Sequence, residues 1–171
     1  NFLSASRILF LLPIIIFFEN GFYIFSVATF IVASFTDYLD GYFARKYNQS
    51  SDSGALLDLL ADKVFVSTLL IWMTFNFDSF IIFISSILIV SREISISYLR
   101  LFIISKSKNI KELSSDLLGK YKTTFQMIAL GFLLISPIEK DVFYVMGLSL
   151  LFLSALISWY SFMRYLNKWI V

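Results

Sequence analysis

The sequence predicts an all-α integral membrane protein, with six transmembrane helices in one membrane-embedded catalytic domain, residues 1–171. Three observations carry that expectation. The chain is 58% hydrophobic and 19% aromatic, against about 45–50% apolar for soluble domains, more apolar surface than a globule of this size can hide. Residues 142–163 carry no charge, and a helix of that length crosses a hydrocarbon core of about 30 Å. Several such runs occur, too long for strands and without period-two alternation, so a cleaved signal peptide does not account for them.

Polar or turn-forming residues punctuate the runs and set the elements in order. A first span over residues 4–18 stops at Glu19-Asn20-Gly21, and a second over 22–47 stops where the polar stretch from Asn48 to Ser53 begins. The third, 54–75, closes at Asn76 to Asp78, and the fourth, 79–105, at the charged stretch from Lys106 to Asp116. A fifth over 117–136 is ended by Pro137 to Asp141, and the sixth covers 142–167. No internal repeat or low-complexity linker divides the chain. It opens on Asn1 rather than Met, so the natural N-terminus is expected upstream.

An even number of spans puts both termini and the loops near residues 46–53 and 106–116 on one side. That side, with the adjoining helix ends, claims every Lys and Arg except Lys140, if Lys63 and Arg92 are assigned to it. The opposite loops hold Glu19, Asp78, Glu139 and Asp141 beside Lys140. The positive-inside rule makes the cation-rich side cytoplasmic. Trp72, Tyr144, Trp159, Tyr160 and Trp169 lie near span ends, as interfacial anchors do. The stretch with Lys106, Lys108 and Lys111 reads as a solvated loop attracted to anionic lipid heads.

Cysteine and histidine are both absent, which excludes disulfides, thiolate metal sites and cysteine nucleophiles, and leaves carboxylate, Lys or Tyr as any general base. The net charge of +2 gives no reason to expect nucleic acid as a partner.

Two fragments break the apolar pattern: DYLDGYFAR from Asp37 to Arg45, and GALLDLLAD from Gly54 to Asp62. Asp37 and Asp40 share a helix face with Gly41 and Ala44, and Gly54, Asp58 and Asp62 share one at spacings of four. The short connection makes the two spans antiparallel neighbours, so that both carboxylate pairs converge on one cavity. An ionised Asp at mid-membrane costs about 2.5–3.5 kcal/mol, less near a helix end, and four together add mutual repulsion that Arg45 and Lys63 offset only in part. Divalent cations neutralise them better, and an all-oxygen site selects hard ions such as Mg2+ or Mn2+. Mg2+ keeps positions open for substrate phosphates, and two ions can clamp the oxygens of a phosphoryl displacement. Gly41, Ala44 and Gly54 leave room for a ligand.

These residues fit D-x2-D-G-x2-A-R-x8-G-x3-D-x3-D at every fixed position, the signature of the CDP-alcohol phosphatidyltransferases, which the chain therefore resembles. The resemblance implies a six-span fold, a homodimer and a catalytic cavity open to the cytoplasmic leaflet of a bacterial inner membrane. It further implies two divalent cations, Mg2+ or Mn2+, held by Asp37, Asp40 and Asp58 on the diphosphate of a CDP-linked lipid. Asp62 completes the metal site or acts as general base, and Gly41, Ala44, Arg45 and Gly54 lie against the CMP moiety. Arg7 is placed with the nucleotide or as an interface anchor. NFLSASR with Pro13, LLDLLADK, SREISISYLR and GKYKTTFQM are similar to segments of the bacterial phosphatidylglycerophosphate synthase branch, with Leu59 standing where that branch usually has Pro.

The signature leaves the acceptor alcohol open. Arg92 and Arg100 in the fourth span, with Lys120 and Lys122 opening the fifth, are cations near a carboxylate-rich site and imply a second anion to receive. Glu93 either orients one of them or simply pairs with it. A phosphate fits, so CDP-diacylglycerol and glycerol 3-phosphate are the expected partners, in a setting of membrane lipids. Inositol phosphate, serine, or phosphatidylglycerol on the way to cardiolipin are alternative acceptors. A divalent-cation transporter is the alternative of another class, disfavoured because paired broken helices at matching positions are not seen in the two halves.

Overall fold

In a computed structural model the protein is described along the backbone over residues 2–47, 52–106 and 117–170, and with side chains over 7–36, 60–99, 121–139 and 141–167. Six helices follow one another: α1 Phe2–Glu19, α2 Tyr23–Tyr47, α3 Asp52–Asn76, α4 Phe80–Lys106, α5 Leu117–Ile135 and α6 Lys140–Ile170. No strand occurs among the described residues. All six expected spans are present, with ends displaced by a few residues. The largest extension is in α6, where helix geometry continues through charged flanks that an apolar run does not include.

The turns follow local rules. Gly21 has φ +79°, and its N–H donates to the Phe18 carbonyl while that of Phe22 donates to Phe17 at 2.8 Å. This crossed pair is a Schellman ending, in which the left-handed residue is best a glycine. The carbonyl of Ser79 accepts the first bond of α4, from Phe83 at 3.1 Å. Pro137 stands just past the end of α5, where a residue lacking an N–H cannot extend the helix.

The helices close into a ring, with extensive packing between α1 and α2, α2 and α5, α5 and α6, α6 and α4, α4 and α3, and α3 and α1. The core inside it includes Ile14, Phe65, Leu69, Met73, Leu130, Leu134 and Leu151. Outside, Leu9, Phe25, Phe75, Phe80 and Ile94 are exposed, an apolar exterior larger than a water-facing monomer carries. By length and composition, Phe80–Leu99 of α4 and Asp141–Asn167 of α6 can cross a membrane, and Tyr23–Thr36 and Tyr121–Ile135 are shorter apolar segments.

Between the described parts of α2 and α3, the rings of Phe30 and Phe65 stack with centroids 6.1 Å apart, and α1 packs against both helices.

Candidate active site

The ring brings the end of α2, the start of α3, the end of α4 and the start of α5 to the same end of the bundle. Between them is a cavity of about 490 Å³ whose lining includes Ser34, Asp62, Lys63, Glu93, Thr123 and Gln126. Its position follows from alternation: every second connection returns to this end, so residues far apart in the chain meet here. The Phe30–Phe65 stack lies one helical turn deeper than Ser34 and Asp62.

Asp62 is the one member of the aspartate constellation among the residues with described side chains. Its carboxylate is 48% exposed, and its Oδ1 lies 3.6 Å from Nη1 of the buried Arg7 at the start of α1. Arg7 is thus held beside a residue of the cavity wall. Asp37, Asp40, Gly41, Ala44 and Arg45 fall within α2, and Gly54 and Asp58 within α3, but their side chains lie outside the described residues, as do those of Arg100 and Lys120.

The other wall is built on Glu93. Its Oε1 accepts from Lys122 Nζ and from Arg92 Nη1 at 3.0 Å, while Oε2 lies 3.8 Å from Lys63 Nζ. Lys63 also donates to the Glu93 carbonyl at 3.3 Å and to the Ser97 hydroxyl. Arg92 Nε donates to the Ser158 carbonyl of α6 at 3.2 Å. The carboxylate therefore ties α3, α4 and α5 together, and Arg92 extends the link to α6. Arg92 and Lys122 are buried and are not among the cavity-lining residues, whereas Lys63 and Glu93 are.

Sequence reasoning singled out Arg92, Arg100, Lys120 and Lys122 for the acceptor phosphate, and of these Arg92 and Lys122 meet at Glu93. It did not place Lys63 or Gln126 in a site. The signal was available: Gln126 is four residues after Lys122, a second polar group on one face of an otherwise apolar segment. Ser97 stands in the same relation to Glu93.

The donor chemistry available to a metal is oxygen alone, since the chain has no His or Cys, and this suits a hard divalent ion. Asp62, half-exposed on the cavity wall, fits the edge of such a site. Among the described residues no three potential ligands gather.

The family model of the CDP-alcohol phosphatidyltransferases matches residues 1–163. The chain belongs to the CDP-alcohol phosphatidyltransferase family. Curated relatives bear the name CDP-diacylglycerol–glycerol-3-phosphate 3-phosphatidyltransferase. That of Wigglesworthia glossinidia brevipalpis is 38% identical over 164 residues, 92% of this chain and 88% of its own. That of Shigella flexneri serotype 5b is 38% identical over 138 residues, 81% and 74% of the two chains, and that of Salmonella typhi 37% over 142 residues, 83% and 76%. Membership makes this all-helical bundle a membrane enzyme and a transferase.

Proposed function

We infer that the protein transfers the phosphatidyl group of CDP-diacylglycerol to glycerol 3-phosphate, releasing CMP and forming phosphatidylglycerophosphate. The observation that carries this is a cavity with a carboxylate, Asp62, on one wall and a cation-rich cluster on the other. A hydroxyl nucleophile that itself bears a phosphate needs both.

In the reaction, the primary hydroxyl of glycerol 3-phosphate attacks the phosphatidyl phosphorus. Asp62 accepts the hydroxyl proton, the new O–P bond forms, and the P–O bond to CMP breaks with its electron pair leaving on CMP. Arg7, 3.6 Å from Asp62, fixes the carboxylate. Asp37, Asp40 and Asp58, with Asp62 at the edge, would hold two divalent ions, Mg2+ or Mn2+, which supply charge neutralisation at the diphosphate oxygens. Arg45, Gly41, Ala44 and Gly54 are assigned to the CMP moiety on family resemblance. Arg92 and Lys122, with Arg100 and Lys120, are assigned to the acceptor phosphate. The whole chain acts as one catalytic domain, as a homodimer in a bacterial inner membrane with the cavity facing the cytoplasm; the distribution of Lys and Arg supports that orientation.

The transporter alternative finds no support in the fold, because each described helix runs unbroken where transporters place interrupted ones. An acceptor panel tests the function. Purified protein with CDP-diacylglycerol and Mg2+ is offered glycerol 3-phosphate, inositol phosphate, serine or phosphatidylglycerol, and CMP is measured. Release with glycerol 3-phosphate alone is expected; release with serine but not glycerol 3-phosphate would refute the acceptor.

A further inference from the structure

Arg92 and Lys122 do not line the cavity, and what lies between them and it is Glu93, flanked by Lys63. We propose that Glu93 is a positioning residue for the acceptor phosphate, and that Lys63 is a cavity-facing member of that phosphate site. The proposal rests on glycerol 3-phosphate being the acceptor.

Lys63, Arg92 and Lys122 all face the Glu93 carboxylate, and a phosphate monoester, which carries about −1.5 to −2 at neutral pH, is an anion that such a cluster suits. Without an internal anion, three cations this close would repel one another in a poorly screened setting. Each would turn towards whichever carbonyl or water it could find. Glu93 holds them in one direction before substrate arrives, which lowers the ordering cost of binding.

Lys63 follows Asp62 in sequence, and its ammonium is fixed by the Glu93 carbonyl at 3.3 Å and by the Ser97 hydroxyl. The same pair of residues therefore presents a proton acceptor and a cation to one cavity. Glycerol 3-phosphate carries its free primary hydroxyl at the far end of a three-carbon chain from its phosphate. A phosphate on Lys63 leaves that hydroxyl within the same cavity as Asp62.

The test uses the full chain in detergent micelles and measures KM for each substrate separately, with wild type, Glu93→Gln, Glu93→Asp and Lys63→Met. Glu93→Gln is expected to raise KM for glycerol 3-phosphate tenfold or more while leaving KM for CDP-diacylglycerol within twofold. Glu93→Asp is expected to recover most of that loss, and Lys63→Met to raise the acceptor KM about fivefold. Equal rises in both KM values, or a fall in kcat alone, would overturn the proposal. Should Glu93→Gln not survive extraction, Lys63→Met decides: an acceptor-selective rise supports the proposal, and an unchanged acceptor KM refutes it. A wild type that does not turn over glycerol 3-phosphate overturns the functional reading and this one together, whereas wild-type turnover with unselective variants overturns this one alone.

Discussion

Gly131 on α5 and Gly147 on α6 look alike in sequence, each a glycine within an apolar helix, yet replacing each by alanine should have opposite effects. A Cβ on Gly147 would lie 2.9 Å from Leu133 Cγ, 3.0 Å from its Cδ2 and 3.2 Å from its backbone nitrogen. Carbon contacts are optimal at about 3.5–4.0 Å, so Leu133 must retreat by roughly half an ångström or more. Rotating the side chain does not relieve the backbone contact, and Leu133 is fully buried. Overpacking of this kind costs about 1–3 kcal/mol, against a gain of about 1 kcal/mol in helix propensity from Gly to Ala. The net for Gly147→Ala is destabilisation by up to about 2 kcal/mol. At Gly131 the new methyl meets only Phe30 Cε1, at 3.8 Å, an ordinary contact, so the propensity gain of up to about 1 kcal/mol survives. Thermal unfolding in one detergent, followed by helical circular dichroism, compares them. At about 2–4 °C per kcal/mol for a chain of this length, Gly147→Ala should melt several degrees below Gly131→Ala. If it melts at the same temperature or higher, the close approach of α5 and α6 at Leu133 is wrong.

Three further outcomes follow from the turn and the site. Gly21→Ala forces a Cβ into a left-handed conformation at φ +79°, at about 1–2 kcal/mol; the melting temperature should fall by a few degrees while both KM values hold. Asp62→Asn removes the proposed base and should lower kcat at least about 100-fold, with an unchanged helical spectrum; near-normal CMP release would sink that assignment. Chelation by EDTA should abolish turnover and added Mg2+ or Mn2+ should restore it, whereas activity persisting in excess chelator would count against an oxygen-ligated metal site.

The helices were legible because punctuation in this chain is chemically strong. Glu19-Asn20-Gly21 combines polar groups with a residue that accepts positive φ, and Pro137 cannot continue α5. Helix pairing was less legible, because a lipid-facing residue and a core residue have the same chemistry. Phe30 is buried and Ile31 exposed, and nothing in their side chains distinguishes them. At the site, Arg92, Glu93 and Lys122 stood out as charges in apolar surroundings. Lys63 was hidden by its neighbour, since beside Asp62 it reads as a local counter-charge, although its ammonium reaches across to α4.

The ring order also accounts for why the site needs all of its helices. A cavity between two helices would be lined by residues close in sequence, with charges of one sign predominating, as in the aspartate fragments. Here α3 contributes Asp62 and Lys63, α4 contributes Glu93, and α5 contributes Gln126 and, behind the wall, Lys122. The α6 carbonyl of Ser158 holds Arg92 from outside, and α1 supplies Arg7 to Asp62. The α3 and α4 helices each bring both signs, Asp62 with Lys63 and Arg92 with Glu93, and the fold sets which charges meet. A carboxylate able to take a proton and cations able to hold a phosphate would neutralise each other if both could relax freely. Arg7 engages Asp62 on one wall and Glu93 engages the cations on the other, so each partner is occupied locally and the cavity between them stays open to a substrate that needs both.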